Sequence, residues 1–230
     1  MREHSLHADI KEWYSVQGDK VETKVHDFII DIVREDLLIE IQTRNLSAIK
    51  IKLIKLLATN KVRLVYPIAK RKWIVYVTKS EEFIRKRKSP KKGKTIDLFN
   101  EMVHISQLLN YENFSFEVLL IEEEEIRCND GKGTWRRKGI SIKDRKLLKV
   151  FEREVFKAKY DFLKFLPEKL DNSFTNRILA KKLKISIRLA RKITYCLRKM
   201  NLLTIVDKKK RELLFRVKTR APMYNKVKNI

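Results

Sequence analysis

The sequence FIIDIVREDLLIEIQT, residues 28–43, decides the fold of the N-terminal part of the chain. It contains two runs of apolar, largely β-branched residues separated by the polar residues 34–36, and this pattern predicts two neighbouring strands. Asp31 lies within the first run and Glu40 within the second. An ionised carboxylate in an apolar sheet is costly unless a metal ion or a charged partner compensates it. The two acids therefore indicate a functional site within the sheet.

The elements around this stretch predict a mixed α/β sheet. Residues 5–17 have helical apolar spacing, and residues 21–43 have the texture of three strands. Ser47 is the predicted N-cap of a second helix that ends near Asn60, and two further strands are predicted at 62–68 and 73–78. Helices before and after the strands are available to cover the sheet.

The middle of the chain predicts a boundary between two domains. Residues 79–95 have neither apolar periodicity nor acidic residues beyond the first few, which is typical of a basic surface loop. A helix is predicted at 96–109 and a strand at 114–121. The acidic run 122–125 and the polar residues 129–133 indicate a break. The predicted domains are therefore 1–130 and 131–230.

The C-terminal part has a compact helix-turn-helix pattern. A long helix or a pair of helices is predicted at 142–166. Thr175 then caps a short helix, a turn follows at 184–186, and a second helix carries Leu189, Ile193 and Leu197 on one face. Two strands, 203–206 and 213–217, form a hairpin with a basic tip. Residues 143–218 resemble the winged-helix family.

Basic residues on the outer side of this motif are the predicted DNA-binding residues. They lie on the exposed face of the second helix or at the hairpin tip, where they reach groove edges or phosphates. The set is Arg188, Arg191, Lys192, Lys199, Lys208, Lys209, Lys210 and Arg211. A protein-binding version of the same fold is the alternative.

The net charge of +25 is concentrated in the second part of the chain. Residues 1–130 hold 23 Lys/Arg against 21 Asp/Glu, whereas residues 131–230 hold 31 against 8. Total charge alone is weak evidence, since lysines also serve as solubilising surface. Its segregation favours a polyanion, most simply nucleic acid, as the partner of the C-terminal part.

Composition excludes several other classes. The two cysteines, Cys128 and Cys196, are far apart and form no zinc or disulfide pattern. No apolar run approaches the roughly 20 residues of a membrane span, and no phosphate-binding glycine motif or nucleophile elbow is present. We therefore expect a cytoplasmic, soluble protein without a membrane partner.

The order of elements, with Asp31 on one strand and Glu40-Ile41-Gln42 on the next, resembles the PD-(D/E)XK nuclease superfamily, which includes restriction endonucleases. The resemblance covers residues 5–78 and implies a restriction-endonuclease-like mixed sheet flanked by helices. It further implies that Asp31 and Glu40 hold Mg²⁺ (or Mn²⁺) for phosphodiester hydrolysis, with Gln42 in the place where the family usually has Lys. The family often adds another acid, for which Glu12 and Glu22 are candidates; Glu22 is favoured because its strand pairs with that of Asp31.

Together these patterns predict a metal-dependent DNA endonuclease, with the catalytic set Glu22, Asp31, Glu40 and Gln42, joined to a C-terminal winged helix-turn-helix domain. The domain order looks like that of transposon end-cleaving endonuclease subunits. The expected partner is duplex or branched DNA, and a homodimer or an assembly with recombination, repair or defence proteins stays open. Two alternatives remain: a non-catalytic DNA-binding regulator or accessory subunit with a degenerate nuclease fold, and an RNA-directed nuclease.

Overall fold

The computed structural model describes residues 5–209 and 212–218, which contain five α-helices and nine strands. The helices are α1 (Ser5–Tyr14), α2 (Leu46–Leu56), α3 (Phe99–Met102), α4 (Asn176–Leu183) and α5 (Ile187–Lys199). The strands are β1 (Lys20–Val25), β2 (Phe28–Arg34), β3 (Leu37–Ile41), β4 (Lys61–Val77), β5 (Phe83–Lys88), β6 (Phe114–Asn129), β7 (Ile140–Phe156), β8 (Leu203–Lys209) and β9 (Glu212–Val217).

Seven of the strands form one mixed sheet in the order β1-β2-β3-β4-β6-β7, with β5 also on β4. The central strands β3, β4 and β6 are parallel, and the outer pairs are antiparallel. One edge of β4 pairs with β6 throughout. Its other edge pairs first with β3, over residues 61–65, and later with β5, over residues 73–77.

A loop runs alongside β4 between the ends of β3 and β5. The backbone N–H groups of Ser89 and Gly93 donate to the carbonyls of Lys72 and Ala69 at 2.8 and 2.9 Å. Glycine is required at position 93, because a Cβ atom there would lie 2.6 Å from the carbonyl oxygen of Ala69. This stretch of β4 therefore has a loop instead of a paired strand on one edge, and the two pockets described below lie near it.

Each face of the sheet is covered by helices, which confirms the predicted mixed α/β architecture. On one face, Leu6 and Ile10 of α1 pack against Ile39, Ile41 and Val65. On the other face α2, α3, α4 and α5 share a continuous core, whose members include Leu53, Phe99, Phe162, Ile193 and Leu197. The elements after the large sheet thus pack into the same core as the sheet itself.

Polar contacts fix α1 on its face of the sheet. Tyr14 Oη donates to Oε2 of the fully buried Glu117 at 2.6 Å. The backbone N–H of Leu147 on β7 donates to Asp9 Oδ2 at 2.8 Å. These contacts hold the middle and the C-terminal end of α1 against the sheet.

The predicted helix or pair of helices at 142–166 is wrong. Residues 140–156 form strand β7, and only residues 159–165 are helical, as a short 3-10 helix. The reason is a long-range charge match: Glu124 and Glu125 of β6 lie opposite Lys146 and Arg145 of β7. The acidic run that indicated a linker therefore belongs to the middle of a paired strand.

Other local predictions need smaller corrections. The strands predicted at 62–68 and 73–78 are one continuous strand, β4, and the predicted loop at 79–95 contains the strand β5. The helix predicted at 96–109 is broken into α3 and two 3-10 turns. The second helix begins at Leu46 after Asn45, and Ser47 lies inside it.

The predicted division at residue 131 falls between β6 and β7, which pair with each other, so the large sheet continues to Phe156. The division into two domains stays a prediction. Part of the basic charge that was assigned to the second domain lies instead on β7 and on the loop before it. Residues 131–157 contain 10 Lys/Arg against 3 Asp/Glu.

The two helices and the hairpin predicted after residue 175 are confirmed as α4, α5 and the β8–β9 pair. Thr175 and Ser186 accept hydrogen bonds from the N–H groups of Ile178 and Leu189, at 3.4 and 3.2 Å, and so cap the two helices. Asn110 Nδ2 donates to the carbonyl of Lys199 at 2.9 Å and ties the end of α5 to the sheet part.

Neither cysteine has a disulfide partner: Cys128 and Cys196 are free and buried. Within the described residues, no helix has the length and apolar character needed to cross a membrane.

Candidate functional site

Asp31 and Glu40 line one pocket of about 310 Å³ at the end of β3. The other residues around it come from the start of α1, the end of β3 and the first turns of α2. The lining consists of His7, Asp31, Glu40, Ile41, Gln42, Ala48, Ile49 and Lys52. Two strands and two helices thus converge on the pair of carboxylates that the sequence singled out.

Strand β2 is irregular at Asp31. In a regular strand, residues two apart share a face of the sheet. Here Ile30 packs into the core beneath α2, whereas Ile32 packs into the core beneath α1. The strand therefore changes face at Asp31, which brings this carboxylate to the end of β3.

The Asp31 carboxylate is held by one backbone and one side-chain group. Oδ2 accepts a hydrogen bond from the Ile41 N–H at 2.7 Å and lies 3.2 Å from His7 Nε2. The Asp31 and His7 side chains keep 16% and 21% of their surface exposed. The group is thus fixed in position and still accessible to a ligand in the pocket.

Glu40 is much more buried, with 3% of its side chain exposed. Lys52 Nζ forms an ion pair with Oε1 at 2.5 Å, and within the described residues Oε1 makes no hydrogen bond of regular geometry. Burial, and next the neighbouring Asp31 charge, raise the pKa of Glu40 to about 7 against the opposing effect of Lys52. The carboxylate is therefore under-compensated, and a cation would stabilise its ionised form.

Gln42 lines the pocket, but its amide is used within the chain. Nε2 donates to the carbonyl of Arg44 and lies 3.4 Å from that of Asn45. Asn45 has a left-handed backbone, with φ of 48°, directly before α2. Gln42 therefore holds the connection between β3 and α2.

Glu22 does not belong to the pocket lining. Its carboxylate lies 2.5 Å from Lys11 Nζ and is 59% exposed. The structure therefore brings together three of the four predicted catalytic residues, Asp31, Glu40 and Gln42, and leaves Glu22 in an ion pair on the surface.

Lys52 is the pocket residue that the sequence did not indicate. It lies on α2, one turn after Ala48, and its amino group also donates to the carbonyl of Ile29 at 2.6 Å. Only the fold shows that this face of α2 meets the acids, because nothing in local periodicity distinguishes Lys52 from the other lysines of the helix.

The predicted Mg²⁺ site has two carboxylates. Within the described residues no group of three or more His, Cys, Asp or Glu side chains is arranged to hold a metal ion. Mg²⁺ is commonly held by one or two carboxylates together with water and substrate phosphates. Glu40, beside Asp31 and paired with Lys52, is compatible with that mode of binding.

The predicted DNA-binding residues differ in their surroundings. Arg188 and Arg191 are exposed on α5, and Lys208 is exposed on β8. Lys192 is half-buried and donates to the Asn100 carbonyl and side-chain oxygens at 3.1 and 3.0 Å. Lys199 Nζ lies 5.8 Å from the centre of the Tyr195 ring.

The hairpin tip is described only in part. The side chain of Lys209 and the whole of Lys210 and Arg211 lie outside the described residues.

Comparison with known proteins shows the family of the chain. Residues 4–157 match the family model described as "Domain of unknown function (DUF8091)", so the chain belongs to the DUF8091 family. The match ends where β7 ends. An "Uncharacterized protein" of Treponema pallidum (strain Nichols) is 34% identical over 174 residues, which cover 75% of this chain and 69% of that protein. No solved structure matches the chain significantly.

Proposed function

We propose that the chain is a metal-dependent DNA endonuclease of the PD-(D/E)XK type, with a restriction-endonuclease-like sheet that carries the active site. The observation that carries this proposal is the pairing of Asp31 and Glu40 in one pocket, with a Glu40 oxygen that is buried and lacks a hydrogen-bond partner. An apolar sheet has no structural use for two adjacent acids, since their mutual repulsion and burial both cost free energy.

Asp31 and Glu40 are the proposed ligands of Mg²⁺ or Mn²⁺. Bound there, the ion would polarise the phosphate and lower the pKa of the attacking water. The Ile41 N–H and His7 fix the orientation of Asp31, as outer groups often do for ligand side chains. A metal ion bound to Oε1 of Glu40 would take the place of the Lys52 amino group, which lies 2.5 Å from this oxygen.

Lys52 supplies the positive charge that Gln42 cannot. Its side chain lines the pocket and is 20% exposed. A cation in this position favours binding of a phosphate and stabilises the negative charge that develops during hydrolysis. Gln42 supports the site by holding the β3–α2 connection.

The proposed duplex-binding part is a winged helix formed by α4, α5 and the β8–β9 hairpin. Arg188 and Arg191 are exposed on α5, where they are able to contact phosphates or base edges. Lys208 on the hairpin is a further exposed cation of this part. Such contacts would deliver the sheet to DNA without requiring a strongly basic active site.

A second candidate function is a DNA-binding regulator with an inactive nuclease-like sheet. One observation favours it: the Gln42 amide donates to loop carbonyls and presents no charge to the pocket. In this case the acids and Lys52 would be a structural cluster.

Nicking of plasmid, branched and single-stranded DNA, and of RNA of the same sequences, separates these functions. We expect Mg²⁺- or Mn²⁺-dependent cleavage that Asp31→Asn and Glu40→Gln abolish. Asp27→Asn is the matched control, because Asp27 is an exposed acid in the turn before β2. Binding of DNA without mutation-sensitive cleavage in either metal would favour the regulator, and cleavage of RNA alone would identify an RNA-directed enzyme.

A further inference from the structure

A larger cavity, of about 510 Å³, lies beside the pocket of the two acids. Leu6 and Thr43 line this cavity, whereas their chain neighbours His7 and Gln42 line the smaller pocket. Residues of β4 that lie beyond the end of β3 form its floor. Its volume is within the range of small-molecule sites, roughly 300–1,000 Å³.

The sheet side of the cavity has more cations than anions. Lys72 Nζ lies 2.7 Å from Glu123 and 2.8 Å from Glu125. The Glu125 carboxylate is also 2.5 Å from Arg127 Nη2 and 3.4 Å from Arg145 Nη2. Two carboxylates therefore face these three cations, and Glu125 contacts all three.

Arg44 follows the cavity residue Thr43 and is a fourth cation near this cluster, although it does not itself line the cavity. It interacts electrostatically with Glu123 and Glu125 but also with Arg145, and burial together with the Arg145 charge lowers its pKa. A further anion near these two guanidinium groups would lower the free-energy cost of their repulsion.

Two N–H donors in this cluster lack an acceptor. Within the described residues, Arg145 Nε and Arg44 Nη2 are buried and make no hydrogen bond. Buried donors are satisfied in more than about 90% of cases in folded proteins, and an unsatisfied one costs free energy. Both donors are guanidinium groups, whose forked geometry suits the oxygens of a phosphate.

The opposite wall of the cavity has a different character. It carries the acids Asp97 and Glu101 and the basic Lys91, with Tyr66 beside them. Asp97 Oδ2 already accepts the Lys94 N–H at 3.0 Å, which caps the 3-10 turn that starts there. Glu101 on this wall is an acceptor suited to the hydroxyl or amino groups of a sugar or base.

We propose that this cavity binds one nucleotide unit, with its phosphate on Arg145 and Arg127, which line the cavity, and its sugar or base toward Glu101. The unit is either a free mononucleotide or one residue of a nucleic-acid strand whose neighbouring phosphate reaches the two acids. The binding site goes beyond the nuclease function and does not depend on it, because none of its residues is a proposed metal ligand.

Equilibrium binding in the presence of EDTA tests the site on the full chain. The probes are inorganic phosphate, adenosine monophosphate, unphosphorylated adenosine and a short single-stranded oligonucleotide. We expect inorganic phosphate and adenosine monophosphate to bind and adenosine not to bind. Arg145→Gln and Arg127→Gln should each weaken binding at least about tenfold, as loss of a charge-assisted hydrogen bond predicts. The exposed Lys24→Gln on β1 is the matched control.

Thermal unfolding separates an effect of a substitution on ligand binding from an effect on the stability of the protein. Without ligand, Arg145→Gln should melt below the temperature of the native protein, because it removes the ion pair of Arg145 with Glu125 across β6 and β7. With adenosine monophosphate, only the native protein and Lys24→Gln should gain stability, as ligand linkage requires. Equal stabilisation of Arg145→Gln, or no binding of any phosphorylated probe, would overturn the proposal.

The two ligand sources and the nuclease hypothesis are distinguished in the same experiment. Tighter binding of the oligonucleotide than of adenosine monophosphate, lost in Arg145→Gln, identifies a strand-binding subsite. Equal or weaker binding of the oligonucleotide identifies a mononucleotide site. Asp31→Asn should retain adenosine monophosphate binding, so that failure of cleavage leaves this inference intact.

Discussion

Glu40 combines burial with an unsatisfied oxygen, and this predicts how stability depends on pH. Its pKa of about 7 lies above the ordinary value of 4.5, so between these pH values the folded state holds a proton that the unfolded state has lost. The contribution of Glu40 to the free energy of unfolding is fully present below about pH 4.5 and is lost as the pH rises through 7. In the absence of metal, the free energy of unfolding of Glu40→Gln should therefore rise relative to that of the native protein as the pH increases from 5 to 8. The increase should be about 3 kcal/mol at most. Urea unfolding in EDTA measures the difference; a constant gap at both pH values would contradict it.

Substitution of Gln42 tests whether this residue only supports the structure of the pocket or takes part in cleavage. Because its amide holds the carbonyls of Arg44 and Asn45, Gln42→Ala should cost about 1 kcal/mol of stability. It should also reduce nicking far less than Glu40→Gln does. Paired measurements of unfolding and cleavage decide: unchanged stability together with complete loss of cleavage would mean that Gln42 acts on the substrate directly.

At the scale of elements, some basic residues of α5 face solvent and one is bonded to the rest of the protein. Arg188 and Arg191 are exposed, whereas Lys192 is hydrogen-bonded to Asn100. Replacing both arginines by Gln should weaken DNA binding and reduce the slope of log affinity against log salt by about 1.8, at about 0.9 for each lost phosphate contact. Lys192→Gln is the matched variant and should leave the slope unchanged. A slope altered only by Lys192→Gln would place the DNA surface elsewhere.

Local patterns predicted some elements and missed others for a physical reason. The helices α4 and α5 have capping residues and an apolar stripe, so their own sequences are sufficient to predict them. Strand β7 is different, because its basic residues are stabilised opposite the acids of β6, across the sheet. The pairing of Asp31 with Glu40 was predictable from their strands. The contribution of Lys52 was not, since it depends on how α2 packs over β3.

At the scale of the whole molecule, the continuous core predicts a single unfolding transition. Leu197 on α5 is fully buried and shares one core with Leu53, Phe99 and the strands of the large sheet. Because the three tryptophans all precede residue 140, their fluorescence reports the sheet part of the chain. Leu197→Ala should lower stability by about 2–5 kcal/mol and shift the fluorescence transition together with the circular dichroism transition.

Leu148→Ala is the matched control for this variant, because Leu148 is 46% exposed and its truncation should shift the transition little. If Leu197→Ala melts the helical signal early and leaves the tryptophan transition in place, the C-terminal helices and the sheet unfold as separate units. Coincident shifts would instead mean that the arginines of α5 and the acids of the pocket belong to one cooperative body. DNA bound at α5 would then be held in a fixed position relative to Asp31 and Glu40, which would favour cleavage at a fixed distance from the bound site.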